Sequence, residues 1–260
     1  MSRTTNSAEV EKNSRPFTAT PVLLIPVIDL KNHQAVHAVA GQRDAYQPVR
    51  SVLCDTAEPR EVATALARRV GHKTLYVADL DALQTSSTRH RPIIQQLLAD
   101  GFEVWLDAGV KRVSDAKELA TIDSAGYRLS QIIVALESVE SQEELHAIVR
   151  QLDAQRLVFS MDLKAGQISA NEFWKGQSPL EILQQVTSVG IRNVILLDVA
   201  AVGVGQGVIT LDLCRQAREQ FPDVQLVSGG GVRGADDVQR LADAGCQGAL
   251  VATALHRGAL

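Results

Sequence analysis

The chain has 260 residues, of which 45% are hydrophobic and 22% are charged, and its formal net charge is −4. That balance leaves no basic excess for nucleic-acid phosphates, and the longest apolar runs, such as residues 22–28, are too short to span a bilayer. Three scattered cysteines without CxxC spacing argue against a disulfide framework or a zinc site and favour a reducing cytoplasm.

The first element in chain order is a polar segment, residues 1–20, which is rich in Ser, Thr and Asn. It lacks the apolar stretch of a secretory signal, and its acids Glu9 and Glu11 are unlike a transit peptide. We predict a flexible, disordered tail here, with an interaction arm as the alternative, and a single folded domain over residues 21–260.

From Val22 onward, short apolar runs alternate with amphipathic stretches whose apolar positions recur every three or four residues. The runs are apolar on both faces, as is typical of strands buried in a parallel sheet. There are eight, namely VLLIPVIDL, TLYVADLDAL, FEVWLDAGV, SQIIVALES, RLVFSMDL, NVILLDVAA, VQLVSGGGV and GALVATAL. Eight such units predict an α/β fold, the (β/α)8 TIM barrel. A doubly wound open sheet is the alternative, but DLKNHQ rather than GxGxxG follows the first run.

The sequence also repeats itself at the scale of half a barrel. VIDLKNHQAV at 27–36 matches SMDLKAGQIS at 160–169, and LDAGVKRVSDAKEL matches SGGGVRGADDVQRL. The second and sixth runs pair Asp79 with Asp198, and the fourth and eighth pair IVALES with LVATAL. Four matches in the same order predict two similar half-barrels, at about residues 22–155 and 156–260.

Carboxylates recur at the ends of the predicted strands, where this fold places its chemistry. They are Asp29, Asp79, Asp81, Asp107, Asp162 and Asp198. Half-barrel symmetry puts Asp29 and Asp162 on opposite sides of one cavity, so we predict that they form a general acid–base pair, with Asp198 as a further catalytic candidate. Each could instead cap the backbone N–H groups of its own loop. No ligand spacing indicates a metal, so we predict no metal site.

A glycine-rich segment, SGGGVRGADD at 228–237, follows the seventh run. Glycines there let the backbone approach a ligand closely, and barrels often hold phosphate at the loops after strands seven and eight. We therefore predict a phosphate site made of Gly230, Gly231, Ala252 and Thr253. The alternative is that the three glycines only form a tight turn.

Other residues are weaker candidates for substrate contact, because solvated loop residues explain them equally well. They are Asp79, Lys31, Lys164 and Gly109. The stretch HAVAGQRDAYQP after the first run and GVGQG at 203–207 are candidate loops for closing over the site.

Several motifs together resemble the HisA/HisF family of histidine biosynthesis, and most closely its isomerase branch, HisA. They are PVIDLKNHQAVHAVAGQ, YVADLDA, VFSMDLKAGQ, SGGGV and the internal repeat. The resemblance runs from about Leu23 to the C-terminus. It implies an aldose–ketose isomerase that performs an Amadori rearrangement on a small phosphorylated ribosylamine-type metabolite, without a metal or cofactor. It also implies that Asp29 and Asp162 are catalytic and that Gly230, Gly231, Ala252 and Thr253 bind a phosphate.

The chain departs from that pattern after the third and fourth strands. Asp107-Ala108-Gly109 replaces a run of three glycines, and Glu137 follows a pair that is small or hydroxylated in the isomerases. Asp198 stands where those enzymes have threonine. Asp107 and Glu137 would repel an anion, yet the histidine intermediate carries two phosphates. The resemblance therefore leaves open a paralogue with a singly phosphorylated substrate, for example in pterin-linked one-carbon metabolism, or a non-enzymatic phosphometabolite-binding barrel.

Overall fold

A computed structural model describes residues 21–85, 90–168 and 172–260, so the predicted tail, residues 1–20, lies outside the described residues. Within those ranges, eight parallel strands follow one another around a ring. These strands, β1 to β8, are Leu23–Lys31, Thr74–Asp79, Glu103–Asp107, Gln131–Ala135, Leu157–Lys164, Asn193–Asp198, Gln225–Gly229 and Gly248–Val251. The last strand pairs with the first, Gly248 lying opposite Leu23, and this closes the barrel. The predicted TIM barrel is confirmed, and the open sheet was the wrong alternative.

Helices cover the outside of the barrel between successive strands. In chain order, α1 to α9 are Pro59–Val70, Leu80–Thr85, Arg91–Ala99, Val113–Ala120, Gln142–Gln151, Pro179–Ser188, Leu211–Gln220, Ala235–Asp243 and Thr253–His256. Local signals fix their ends: the Glu58 side chain accepts the N–H groups of Arg60 and Glu61 at the start of α1, and Gly71 ends that helix with φ +84°. In the described part of the chain, no helix is both long enough and apolar enough to cross a membrane.

Two barrel strands continue into short antiparallel hairpins. Strand β1 turns back at Asn32 and His33 into Gln34–His37, and β5 turns back at Ala165 and Gly166 into Gln167–Ile168. All four turn residues have positive φ, between +49° and +77°. Strands β1 and β5, which the sequence pairs as repeats, thus both continue into a hairpin. The half-barrel duplication itself stays a prediction.

The remaining elements are short. They are strand Gln47–Pro48 beside Gln34–His37, the pair Asp123–Ser124 and Tyr127–Arg128, and the 3-10 turns Arg43–Ala45, Ala154–Arg156, Glu172–Trp174 and Val199–Ala201.

The apolar core forms two layers, because successive side chains on a strand point to opposite faces. One layer fills the inside of the barrel, with Ile25, Tyr76, Ala78, Ile133, Val158, Ile195, Val227 and Leu250. The other, larger layer lies between the strands and the helices. The face on which each strand residue stands therefore decides whether it can reach the interior, and this applies to the strand-end carboxylates as well.

Candidate active site

A cavity of about 290 Å³ lies at the C-terminal ends of the barrel strands. Asp29 and Asp162 both line it, one from β1 and one from β5, which stand across the barrel from each other. The volume is near the lower end of the range for small-molecule sites, about 300–1,000 Å³. The structure thus brings the predicted acid–base pair to one enclosed space.

Strand alternation explains why these two carboxylates face inward. Asp29 stands two residues after Val27, and Asp162 four residues after Val158; both valines pack inside the barrel. An even spacing along a strand keeps side chains on one face. By the same rule Asp107 follows Trp105 into the interior, and it too lines the cavity.

Tyr76 was missed by the sequence analysis and lies among these carboxylates. Its hydroxyl donates to Asp107 Oδ2 at 3.0 Å. Burial, together with the negative charges of Asp107, Asp162 and Asp29, raises the pKa of Tyr76 well above its usual range, so the hydroxyl keeps its proton. The available signal was a lone tyrosine on the inward face of TLYVAD.

Hydrogen bonds also hold the carboxylates of Asp162 and Asp107 in place. The Ser160 hydroxyl donates to Asp162 Oδ1 at 3.0 Å, and the Gly109 N–H donates to Asp107 Oδ1 at 3.2 Å. Gly109 itself does not line the cavity among the described residues. Its contact with the site therefore runs through Asp107.

Asp198 lies on the opposite face of its strand. Its neighbour Leu196 packs in the layer between strands and helices, and the Asp198 side chain is fully buried outside the cavity lining. Its oxygens accept the N–H groups of Ala165 at 3.1 Å, Gly166 at 2.7 Å and Ala200 at 2.9 Å. The structure therefore places Asp198 as an anchor of the hairpin after β5, and the described cavity lining does not include this predicted catalytic candidate.

Asp79 occupies the equivalent outward position on β2 and anchors the hairpin after β1 through a histidine. Its Oδ1 accepts from His90 Nδ1 at 2.8 Å, and His90 Nε2 accepts the His33 N–H at 3.0 Å. Asp81 Oδ2 accepts the Asn32 N–H at 3.0 Å. Because Nε2 of His90 accepts a backbone N–H here, the geometry places a proton on Nδ1, between the ring and Asp79. Asp79 thus positions this hairpin and is not among the described residues that line the cavity.

The two predicted loop lysines are placed on these hairpins. Lys31 ends β1 and is half-buried, while Lys164 ends β5 and is exposed. Neither lines the cavity among the described residues. The structure therefore does not bring them to the predicted acid–base pair.

The residues of the predicted phosphate site all line the cavity, namely Gly230, Gly231, Ala252 and Thr253. Backbone atoms crowd both glycines: a Cβ at Gly230 would lie 2.6 Å from the Asp198 carbonyl oxygen, and one at Gly231 would lie 2.5 Å from that of Gly207. Both also have positive φ, +80° and +85°. The tight turn thus requires glycine whatever binds there, and the phosphate site stays a prediction.

Two arginines that the sequence analysis did not single out line the same side. Arg233 follows β7 and Arg257 follows α9. Two guanidinium nitrogens of Arg233, Nε and Nη2, donate to the buried Asp237 at 2.8 Å each. This pairing fixes the guanidinium plane beside the glycine turn and lowers the pKa of Asp237.

Two loops meet over the cavity. The Ala40 N–H, from the loop after β1, donates to the Val202 carbonyl oxygen, from the loop after β6, at 2.8 Å. Gly203 has φ +73°, and a Cβ there would lie 2.2 Å from the Ala38 carbonyl oxygen. These are the two loops that the sequence predicts as covers, and the close contact between them requires glycine at 203.

His256 is buried beside the predicted phosphate loop. Its Nδ1 lies 3.0 Å from the Ser51 hydroxyl oxygen. Burial, with a smaller contribution from nearby His37, lowers the pKa of His256 to about 4. The ring is therefore neutral near pH 7 and joins the loop around Ser51 to α9.

Among the residues that the structure describes, no group of three or more His, Cys, Asp or Glu side chains is arranged to hold a metal ion.

Comparisons with known proteins match nearly the whole folded chain. A family model described as "Histidine biosynthesis protein" matches residues 23–260. An uncharacterized protein of Methanocaldococcus jannaschii is 34% identical over 237 residues, which cover 91% of this chain and 94% of that protein. A protein of Deinococcus radiodurans, named 1-(5-phosphoribosyl)-5-((5-phosphoribosylamino)methylideneamino) imidazole-4-carboxamide isomerase, is 28% identical over 91% of this chain and 94% of its own. A protein of the same name from Legionella pneumophila is 24% identical, covering 91% and 96%.

Replacing Asp198 tests its role as an anchor. In Asp198→Asn one buried acceptor oxygen becomes an amide NH2 group that faces the N–H donors of the hairpin turn, so we expect the free energy of unfolding to fall by about 1–3 kcal/mol. Urea unfolding measures this, with the exposed Asp223→Asn as the matched control, expected within about 0.5 kcal/mol of wild type. Unchanged stability of Asp198→Asn would contradict the anchoring role.

Replacing Gly203 tests the contact between the two covering loops. The Cβ of Gly203→Ala meets the Ala38 backbone, so we expect amide hydrogen exchange in residues 38–46 to speed up by about tenfold or more. Gly205→Ala is the matched control, because φ is +69° there but no atom lies within 4 Å of an added Cβ. Equal exchange rates in both variants would show that backbone strain, not the contact, sets the loop stability.

His256 predicts a pH dependence of stability. The folded-state pKa is depressed below its ordinary value near 6.5, so the unfolded chain binds the extra proton first as pH falls. The contribution is complete above about pH 6.5 and declines toward pH 4, by up to about 3 kcal/mol. Urea unfolding at several pH values measures it; His256→Gln should flatten this part of the curve and His146→Gln should not. A slope that persists in His256→Gln would refute the assignment.

Proposed function

Because the chain belongs to the family of histidine biosynthesis proteins, we propose that it is an aldose–ketose isomerase acting on a phosphorylated ribosylamine-type metabolite. The observation that supports this most is the placement of Asp29 and Asp162 on opposite strands around one cavity. A protein that only binds an anion gains nothing from two carboxylates facing its ligand. A proton-transferring enzyme needs such a pair.

The proposed reaction is an Amadori rearrangement. One aspartic acid donates a proton to the sugar-ring oxygen as the bond from C1 to that oxygen breaks, which leaves a Schiff base between C1 and nitrogen. The other aspartate removes the C2 proton, and the electron pair of the broken C2–H bond forms the C1–C2 double bond of an enolamine. Loss of the O2 proton and protonation of C1 then give the ketose. Carbon 1 is reduced as carbon 2 is oxidised, so the step balances without an external oxidant or reductant.

The surroundings suit this chemistry. Ser160 orients the Asp162 carboxylate. Tyr76 keeps its proton and interacts electrostatically with the carboxylates of Asp29 and Asp162. Covering loops that meet above the cavity would exclude water from the Schiff base, which water would otherwise hydrolyse. The phosphate would lie at the glycine turn beside Arg233 and Arg257.

The description of the family model suggests a role in histidine biosynthesis, for which we propose a cytoplasmic location, and the relatives' names contain two phosphoribosyl groups. One observation favours a second candidate, a paralogue that uses a singly phosphorylated substrate. Asp107 and Glu137 line the cavity at the side where the second phosphate of the isomerases would be expected. Repulsion between a phosphate and these carboxylates would weaken such binding.

Asparagine substitutions test the acid–base pair. We expect Asp29→Asn and Asp162→Asn each to lower kcat/KM by about 100-fold to 10,000-fold, the usual contribution of a general acid or base. Two substrates cover both candidates: the doubly phosphorylated aminoaldose of the named relatives, and N-phenyl-5-phosphoribosylamine, made from ribose 5-phosphate and aniline. The readout is ketose formation by NMR in D2O, which also reports deuterium at C1.

Asp223→Asn, an exposed substitution, serves as the control for general effects and should retain wild-type rates. Turnover that survives both active-site substitutions would contradict the assigned roles. A wild-type protein that binds these ligands but converts neither would contradict isomerase activity and favour a binding barrel.

A further inference from the structure

Building on the proposed isomerase activity, we propose that the substrate carries one phosphate and, at its far end, a group rich in N–H donors such as a protonated amine or an amidine. The cavity supports this because its two opposite sides differ in hydrogen-bonding polarity. The side after β3 and β4 presents acceptors, and the side after β7 and β8 presents donors.

The acceptor side is formed by Asp107, Glu137 and Tyr76, all of which line the cavity. Asp107 is 7% exposed and accepts one hydrogen bond on each oxygen, from the Tyr76 hydroxyl and the Gly109 N–H. A carboxylate has about four lone-pair sites, so it can accept from several donors at once. Tyr76 has given its single proton to Asp107 and offers only lone pairs.

Three backbone N–H groups on this side donate to acceptors inside the protein. Asp107 accepts the Gly109 N–H, the Ser160 carbonyl accepts the Leu136 N–H at 2.8 Å, and the Ala135 carbonyl accepts the Ser138 N–H at 3.0 Å. A phosphate site is built from such N–H groups pointing at the ligand. Asp107 is negatively charged and accepts the Gly109 N–H, so this N–H is not available to a bound phosphate.

The donor side lies across the barrel. In the described ranges the N–H groups of Gly230 and Gly231 donate to no protein acceptor, and the side chains of Thr253, Arg233 and Arg257 line the cavity beside them. All of these groups can donate to phosphate oxygens, and the arginines add positive charge. One phosphate is therefore expected here.

These two sides define an axis at right angles to the catalytic one. In the ring of eight strands, β3 and β4 stand opposite β7 and β8, and β1 stands opposite β5. A ligand lying along the binding axis would place its middle, the reacting sugar carbons, between Asp29 and Asp162. A second phosphate at the far end would meet carboxylates, whereas an amine or amidine would form charge-assisted hydrogen bonds with them.

Matched ligands test this inference. Ribose 5-phosphate condensed with 3-aminobenzamidine, aniline or 3-aminobenzoate gives three glycosylamines that share one sugar phosphate and differ in the charge and donors of the far end. Dissociation constants are measured by calorimetry with the Asp29→Asn variant, which blocks turnover, and kcat/KM is measured with wild type. Ribose 5-phosphate alone and each arylamine alone are the ligand controls.

We expect the amidine adduct to bind at least about tenfold more tightly than the benzoate adduct, with aniline between them. Adding Glu137→Gln should reduce this ratio severalfold, as should Asp107→Asn, whereas the exposed Glu118→Gln on α4 should leave it unchanged. Glu137→Gln keeps the test valid if Asp107→Asn, which removes a buried acceptor, fails to fold.

Two results would overturn the inference: a benzoate adduct that binds as tightly as the amidine adduct, or three adducts that bind no better than ribose 5-phosphate. Failure of the proposed function looks different, since wild type would then convert none of the adducts while the amidine preference in binding persisted. A ratio unaffected by both carboxylate substitutions would also refute the assignment of the acceptor side.

Discussion

Strand alternation in a closed barrel is the constraint on which the site depends. A parallel strand buried on both faces sends every second side chain inside and every other one toward the helices. Asp29, Asp107 and Asp162 fall on the inward set and line one cavity, while Asp79 and Asp198 fall on the outward set. A shift of one residue would exchange these groups, so the chemistry is tied to strand register.

The outward-facing Asp79 and Asp198 stabilise the hairpins that follow the inward-facing Asp29 and Asp162. Asp198 directly accepts the turn N–H groups of the hairpin that continues β5, and on the other side Asp79 acts through His90 on the hairpin that continues β1. The turn of each hairpin begins three residues after a cavity-lining aspartate. Hydrogen bonds to these side chains therefore limit the movement of the strand ends that carry Asp29 and Asp162.

The cavity has two sides of different chemistry. Its glycine turn, arginines and facing aspartates suit an isomerase of a phosphorylated aminosugar. Its other side differs from a second phosphate site because Asp107 and Tyr76 form a hydrogen-bonded pair there, and Asp107 takes the local N–H group. Family membership thus supports an isomerase more directly than it supports any one ligand, whose identity depends on a few cavity-lining side chains.

Much of this could be read from residue order alone, because it depends on local periodicity. Eight apolar runs separated by amphipathic stretches were enough to predict the barrel, and the internal repeat singled out Asp29 and Asp162 among six strand-end carboxylates. Other features depend on contacts between residues far apart in the chain. The pairing of Tyr76 with Asp107 spans 31 residues, and Asp198 reaches Gly166 across 32. Only the tertiary structure could show that Asp198 anchors a hairpin, since a strand-end carboxylate has the same spacing whether its oxygens meet a ligand or a backbone N–H.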